Sequence, residues 1–190
     1  MNWIDLATSP PSDVCQADVC VIGAGAAGIF LAIQLADQGK SVILLEAGPS
    51  AAVDTQSIGF TPSFVEDKYP GALTGRYFGL GGSTGRWGGV LVPHTSYDVR
   101  DDDYSSVWDR ITSCVKEQSP AVLARFGYIK DAKFQQYALD KLASVADLLT
   151  NAGLDVQASL MLPFSQKNLL GLLKRTSRSN RRPQVFYNAV

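Results

Sequence analysis

Two short apolar runs flank an amphipathic segment near the start of the chain. Val19–Ile22 and Val42–Leu45 are continuous apolar runs, as strands buried on both faces of a parallel sheet require. The segment between them places apolar residues on one side of a predicted helix that ends at Gly39. That side consists of Ile29, Leu31, Ala32, Leu35 and Ala36. The pattern predicts a strand–helix–strand unit over residues 18–48.

Three glycines with the spacing G-x-G-x-x-G join the first predicted strand to the helix. Gly23 permits the tight turn, Gly25 lets the backbone approach a pyrophosphate, and Gly28 lets the helix pack closely on the sheet. The first helical amides, at Ala26 and Ala27, would face that pyrophosphate together with the positive end of the helix dipole. The spacing therefore predicts a dinucleotide site, and the alternative is a glycine-rich turn without a ligand.

An acidic residue ends the second predicted strand. Glu46 lies 18 positions after Gly28, close to the spacing expected of a ribose-binding acid, and Ala47 follows it in the predicted site. A carboxylate there would accept hydrogen bonds from both ribose hydroxyls. It would repel a 2′-phosphate, which disfavours NADP.

The composition is that of an ordinary soluble globular protein, with 190 residues, 46% hydrophobic residues and a net charge of −1. We expect a Rossmann-like FAD/NAD(P)-binding domain with a parallel sheet over residues 18–190, preceded by an irregular lead-in at 1–17. The chain shows no apolar run long enough for a membrane span and no signal peptide, so a cytoplasmic location is expected. The basic run at 174–182 is interpreted as a solvated loop, without a nucleic-acid partner, and no metal site is predicted.

Helices are predicted near 107–118 and over 132–150, and a final strand over 184–190. The chain stops inside or just after that strand, without the polar residues expected at a domain terminus. We therefore expect the sheet to be incomplete at its C-terminal end.

A second glycine-rich segment distinguishes between cofactors. Residues 79–89, GLGGSTGRWGG, contain six glycines in eleven positions, which would bring the backbone close to a ligand. Ser83 and Thr84 offer hydroxyl donors to phosphate oxygens, and Trp87 offers a planar face or an indole donor. A simple nicotinamide-binding domain does not need this segment. An extended FAD does, so FAD is the predicted cofactor.

These motifs resemble the glucose–methanol–choline (GMC) oxidoreductases. The resemblance rests on ADVCVIGAGAAG at 17–28, VILLEAGP at 42–49, GLGGSTGRWGG at 79–89 and RPQVFYNAV at 182–190. It implies an FAD with its pyrophosphate at Gly23–Gly28 and its adenosine ribose on Glu46. It further implies that Gly82, Ser83 and Thr84 flank the pyrophosphate and ribityl chain. Trp87 and Gly88 would lie near the flavin ring, and the strand end at Asn188, Ala189 and Val190 near the adenine.

The resemblance also implies an activity, the oxidation of an alcohol, sugar or polyol CH–OH group by hydride transfer to flavin, with the electron acceptor left open. The family's catalytic base lies in a C-terminal part, so no catalytic residue is assigned here, and His94 does not match that base. The chain is expected to be the FAD-binding N-terminal portion of an oxidoreductase and inactive alone. Two alternatives stay open: another flavoprotein or an NAD-binding protein, and a non-catalytic nucleotide-binding module.

Overall fold

The computed structural model of the chain describes residues 3–65, 67, 69–72, 74–95, 98, 105–128, 140, 142–154, 156, 159–176 and 182–189. The chain divides into two compact units. The first consists of Met1–Gly89 together with Pro163–Val190, and the second of Val90–Leu162. The second unit is therefore inserted into the sequence of the first.

Short strands and four helices make up the regular structure of the described residues. The strands are β1 (Trp3–Asp5), β2 (Val19–Ile22), β3 (Val42–Leu45), β4 (Val53–Asp54), β5 (Tyr77–Phe78), β6 (Val90–Leu91), β7 (Leu160–Met161) and β8 (Gln184–Tyr187). The helices are α1 (Ala26–Asp37), α2 (Ser105–Arg125), α3 (Ala143–Asn151) and α4 (Leu170–Thr176). Single 3-10 turns occur at Gln56–Ile58, Pro70–Ala72 and Gly82–Gly85.

The first unit is built on a parallel sheet with the strand order β1-β8-β3-β2. β3 lies between β8 and β2, and its residues Val42, Ile43 and Leu44 are buried. Helix α1 packs on β2 and β3 through an apolar side that includes Ile29 and Ile33, both fully buried. The strand–helix–strand unit and the α/β class with a Rossmann-like parallel sheet are confirmed.

The expectation that β2 is buried on both faces is wrong. Val21, whose side chain lies near Gly28 of α1, is buried, whereas Cys20 is exposed and Ile22 is 85% exposed. Successive side chains of a strand point to opposite faces, and α1 covers only the face to which Val21 points. The opposite face of the sheet lines an open groove of about 610 Å³ that includes Cys20 and Leu45.

The lead-in at residues 1–17 is not wholly irregular, because β1 pairs in parallel with β8. Asp5 at the end of β1 accepts hydrogen bonds from the Asn188 side-chain amide at 2.7 Å and from the Ala7 amide at 3.0 Å. A strand of three residues has too few positions to show a period, which explains why the sequence pattern did not predict it.

The second unit contains α2, α3 and the antiparallel pair of β6 and β7. The helix predicted near 107–118 is confirmed within the longer α2, which continues past Pro120. For the helix predicted over 132–150, α3 confirms the C-terminal part, and residues 132–139 lie outside the described residues. Among the described residues, no helix is both long and apolar enough to cross a membrane.

Candidate functional site

The turn between β2 and α1 leads into a helix whose N-terminus is not capped by a side chain. Gly23 has a left-handed φ of 97°, and its amide donates to the Leu45 carbonyl at 2.7 Å, which closes the turn against β3. Helix α1 then begins at Ala26, with Gly25 as N-cap, no capping side chain and no acidic residue in its first turn. The first amides of a helix lack intrahelical acceptors. This end can therefore receive an anion through backbone N–H groups and the helix dipole.

Gly25 and Gly28 have different structural roles in this turn. A Cβ added at Gly28 would lie 1.8 Å from the Gly23 carbonyl oxygen, so Gly28 is required for the helix to approach the turn. A Cβ added at Gly25 would have nothing within 4 Å, so it would extend into open space in front of the helix. This open space is the volume that a pyrophosphate would need.

The Glu46 carboxylate connects three backbone segments. The side chain is buried, with only 5% of its surface exposed. Oε2 accepts from the Ala24 amide at 2.7 Å, and Oε1 accepts from the amides of Gly48 at 3.0 Å and Gly79 at 2.8 Å. A carboxylate offers about four lone-pair directions. Three of them are occupied, which leaves one direction for a further donor, whereas the sequence analysis expected both ribose hydroxyls to donate to Glu46.

The second glycine-rich segment lies directly against the turn. The Gly81 amide donates to the Ala24 carbonyl at 2.9 Å. A Cβ added at Gly82 would lie 3.0 Å from Gly25 Cα, and Gly82 has a left-handed φ of 53°. Only glycine adopts this conformation at little cost at such close backbone separation. The two glycine-rich segments therefore form one backbone surface.

A cleft of about 450 Å³ lies between these segments. The predicted site residues that line it are Gly23, Gly25, Ala26, Glu46, Ala47, Gly82, Ser83 and Thr84. Ile22, Tyr77 and Phe78 also line it, and the sequence analysis did not identify them. Their positions in the sequence could have indicated them, since Ile22 ends the first strand and the two aromatic residues immediately precede the second glycine-rich segment.

The hydroxyl groups of Ser83 and Thr84 are engaged within the protein. Thr84 Oγ1 donates to the Gly81 carbonyl at 2.5 Å and accepts from the Leu169 amide at 3.1 Å. Ser83 Oγ lies 3.3 Å from the Gly75 carbonyl, to which it donates. A hydroxyl has a single proton to donate. In the cofactor-free protein these protons are used within the segment, and donation from the two hydroxyls to phosphate stays a prediction.

Several other predicted residues do not line the cleft. Ala27 and Gly28 belong to the first turn of α1, behind Gly25 and Ala26 in sequence. The Trp87 indole donates to the Lys167 carbonyl at 2.6 Å, so its N–H is not free for a ligand, and Gly88 follows it. At the end of β8, the amides of Asn188 and Ala189 donate to the Gly48 and Glu46 carbonyls, both at 3.0 Å. Val190 lies outside the described residues.

His94, the only histidine of the chain, belongs to the second unit. Its Nδ1 lies 3.6 Å from the Asp98 carboxylate, and its side chain is 58% exposed. Its ring centroid lies 6.0 Å from that of Trp108. These contacts give no indication of a chemical role for His94.

Comparison with known proteins identifies the class of cofactor. Residues 18–61 match the model of a protein family described as FAD dependent oxidoreductase. No curated protein matches the chain. The matched segment contains the turn, α1 and Glu46, and the open space at Gly25 with the uncapped helix fits a pyrophosphate. FAD is the cofactor, and FAD-dependent oxidation–reduction is the general class of activity.

Proposed function

We propose that the chain is the FAD-binding portion of a GMC-type oxidoreductase that oxidises a CH–OH group of an alcohol, sugar or polyol. The observation that carries the proposal is the contact between the two glycine-rich segments. The segment at 79–89 resembles the family signature, and its Gly81 amide bonds to Ala24 within the phosphate turn. An extended dinucleotide needs a backbone surface of this kind along its length.

The residues of the cleft would hold FAD mainly through the main chain. The pyrophosphate would occupy the open space at Gly25 and accept from the first amides of α1. Glu46 would accept one hydroxyl of the adenosine ribose with its remaining lone-pair direction. Gly82, Ser83 and Thr84 would flank the cofactor with their backbone, and Tyr77 and Phe78 would supply aromatic surface.

When bound, FAD would supply the acceptor for a hydride from the substrate carbon, while the hydroxyl proton passes to a base and a carbonyl remains. The chain's own residues would orient the cofactor by fixing the backbone at both glycine-rich segments. Electrons would leave the reduced cofactor to an acceptor that a dye can replace in an assay.

A titration followed by a substrate survey tests this proposal. FAD is titrated into the full chain, and binding is followed by flavin fluorescence. Any holoenzyme that contains this chain is then assayed for dye reduction with primary alcohols, sugars and polyols as substrates. We expect FAD binding and reduction by a CH–OH donor. FAD binding with reduction only by amines or other donors would identify another flavoprotein. Binding of NAD or adenine nucleotides without FAD would refute the proposal.

A further inference from the structure

Trp87 and Lys167 form a reciprocal pair of hydrogen bonds across 80 positions of sequence. The Trp87 indole donates to the Lys167 carbonyl at 2.6 Å, and Lys167 Nζ donates to the Trp87 carbonyl at 3.2 Å. Both side chains are half-buried, and the Lys167 ammonium also lies 4.5 Å from the Phe164 ring centroid. We call this pair of residues the Trp87–Lys167 clasp.

The second glycine-rich segment needs such external bonds because its own composition favours many conformations. Gly79, Gly81 and Gly82 have φ values of 131°, 98° and 53°, and glycine loses more conformational entropy than other residues when it is ordered. The start of the segment is fixed by the bonds from Gly79 to Glu46 and from Gly81 to Ala24. After Gly82, the Ser83 hydroxyl bonds to Gly75 and Tyr77, and the remaining bonds come from residues far away in the sequence.

Residues just before α4 form further contacts with the second glycine-rich segment. The Leu169 amide donates to Thr84 Oγ1 at 3.1 Å, and both residues are buried. A Cβ added at Gly81 would lie 2.6 Å from the Asn168 side-chain oxygen, so this stretch packs directly on the segment. Together with the clasp, these contacts hold the segment at its start, middle and end.

The clasp also lies close to the points where the chain leaves and re-enters the first unit. The second unit begins at Val90, three positions after Trp87, and ends at Leu162, five positions before Lys167.

We propose that Trp87 and Lys167 are positioning residues that hold the second glycine-rich segment in the conformation able to receive the cofactor. The inference rests on the proposed function, because FAD is the ligand that the segment would meet. Loosening the clasp at Lys167, which does not line the cleft, would reduce the fraction of molecules that are competent to bind without removing a side chain of the cleft. A smaller competent fraction slows association and leaves dissociation unchanged.

Stopped-flow measurement of FAD binding to the full chain tests the proposal with the variants Lys167→Met and Trp87→Phe. Each variant removes one of the two clasp hydrogen bonds and retains most of the side-chain volume. Since a net hydrogen bond contributes about 0.5–1.5 kcal/mol, we expect an association rate reduced about twofold to twelvefold. Lys116→Met, on the exposed surface of α2, is the matched control and should behave as the original chain.

Hydrogen exchange of the cofactor-free chain provides a second, independent measurement. Amides of residues 81–86 should exchange faster in both clasp variants, whereas the urea midpoint of unfolding should show that the variants remain folded. Unchanged exchange and unchanged association would overturn the proposal, as would an effect confined to the dissociation rate. If the original chain does not bind FAD, the proposed function fails, and the exchange measurement still decides whether the clasp orders the segment.

Discussion

Replacing Glu46 should destabilise the cofactor-free protein, and this consequence distinguishes its structural role from a role in binding ribose alone. Glu46→Ala removes the acceptor of three backbone N–H groups, at Ala24, Gly48 and Gly79. A buried donor left without a partner costs about 1–3 kcal/mol. Water can enter from the adjoining cleft and satisfy part of this loss, so the lower end of that range applies to each donor.

The resulting loss is about 3 kcal/mol for Glu46→Ala, a large share of the roughly 5–15 kcal/mol that stabilises a typical domain. Glu46→Gln keeps the size of the side chain but turns one acceptor oxygen into an NH2 donor. Whichever way the amide is oriented, at least one backbone N–H faces another donor, so we expect a loss of about 1–3 kcal/mol.

Urea unfolding of the cofactor-free chain, followed by circular dichroism, measures these losses as a lower midpoint at unchanged slope. Glu117→Gln on the exposed surface of α2 is the matched control. FAD binding measured in parallel should weaken in both Glu46 variants. If both variants unfold at the same urea concentration as the original chain while FAD binding weakens, Glu46 acts on the ribose alone and the structural reasoning is refuted.

Three further predictions follow from the turn and from the start of β2. Gly25→Val should abolish measurable FAD binding while changing the free energy of unfolding by no more than about 1 kcal/mol, because its Cβ enters open space; normal flavin fluorescence quenching would contradict this. Gly28→Ala should lower the free energy of unfolding by about 1–3 kcal/mol in urea melts, since its Cβ meets the Gly23 carbonyl, whereas Gly171→Ala should not. Hydrogen bonds from the backbone amide and the hydroxyl of Ser41 hold the pKa of Asp18 below its usual value, so the stability it contributes is present at neutral pH and lost as pH falls through that lowered pKa. Asp18→Asn should therefore flatten the fall in thermal stability below about pH 4, and an unchanged pH profile would contradict the assignment.

The sequence predicted the parts of the fold in which a pattern repeats over several residues. The β2–α1–β3 unit was found because its apolar runs, its glycines and the stop at Gly39 agree with one another. β1 was missed because three residues carry no period, and its pairing with β8 depends on a partner more than 180 positions away. The exposure of Ile22 was missed because an apolar run predicts burial on two faces without saying whether a second layer is present.

For the site, the sequence identified most of the residues that line the cleft, but it did not indicate the hydrogen bonds that the predicted side chains make within the protein. Ser83, Thr84 and Trp87 were interpreted as groups that would meet a ligand, and the structure engages their donors with Gly75, Gly81 and Lys167. No local pattern could predict the partner of Trp87, since Lys167 follows an insertion of more than 70 residues. The contacts of Tyr77 and Phe78 with the cleft likewise depend on how β5 folds back, which spacing does not encode.

Backbone and side chains have different roles in the cleft, so substitutions should affect stability and FAD binding differently. In the proposed site the pyrophosphate would accept hydrogen bonds from main-chain amides, while the polar side chains of Glu46 and Thr84 hold that main chain in place. Changes at these side chains should therefore act first on the cofactor-free protein, and a change at Glu46 should in addition remove its proposed bond to the ribose. A change at Gly25 should act mainly on the bound state, because its Cβ has no heavy atom within 4 Å in the cofactor-free protein. Comparing unfolding and FAD binding across both classes separates residues that shape the cleft from those that merely leave it open.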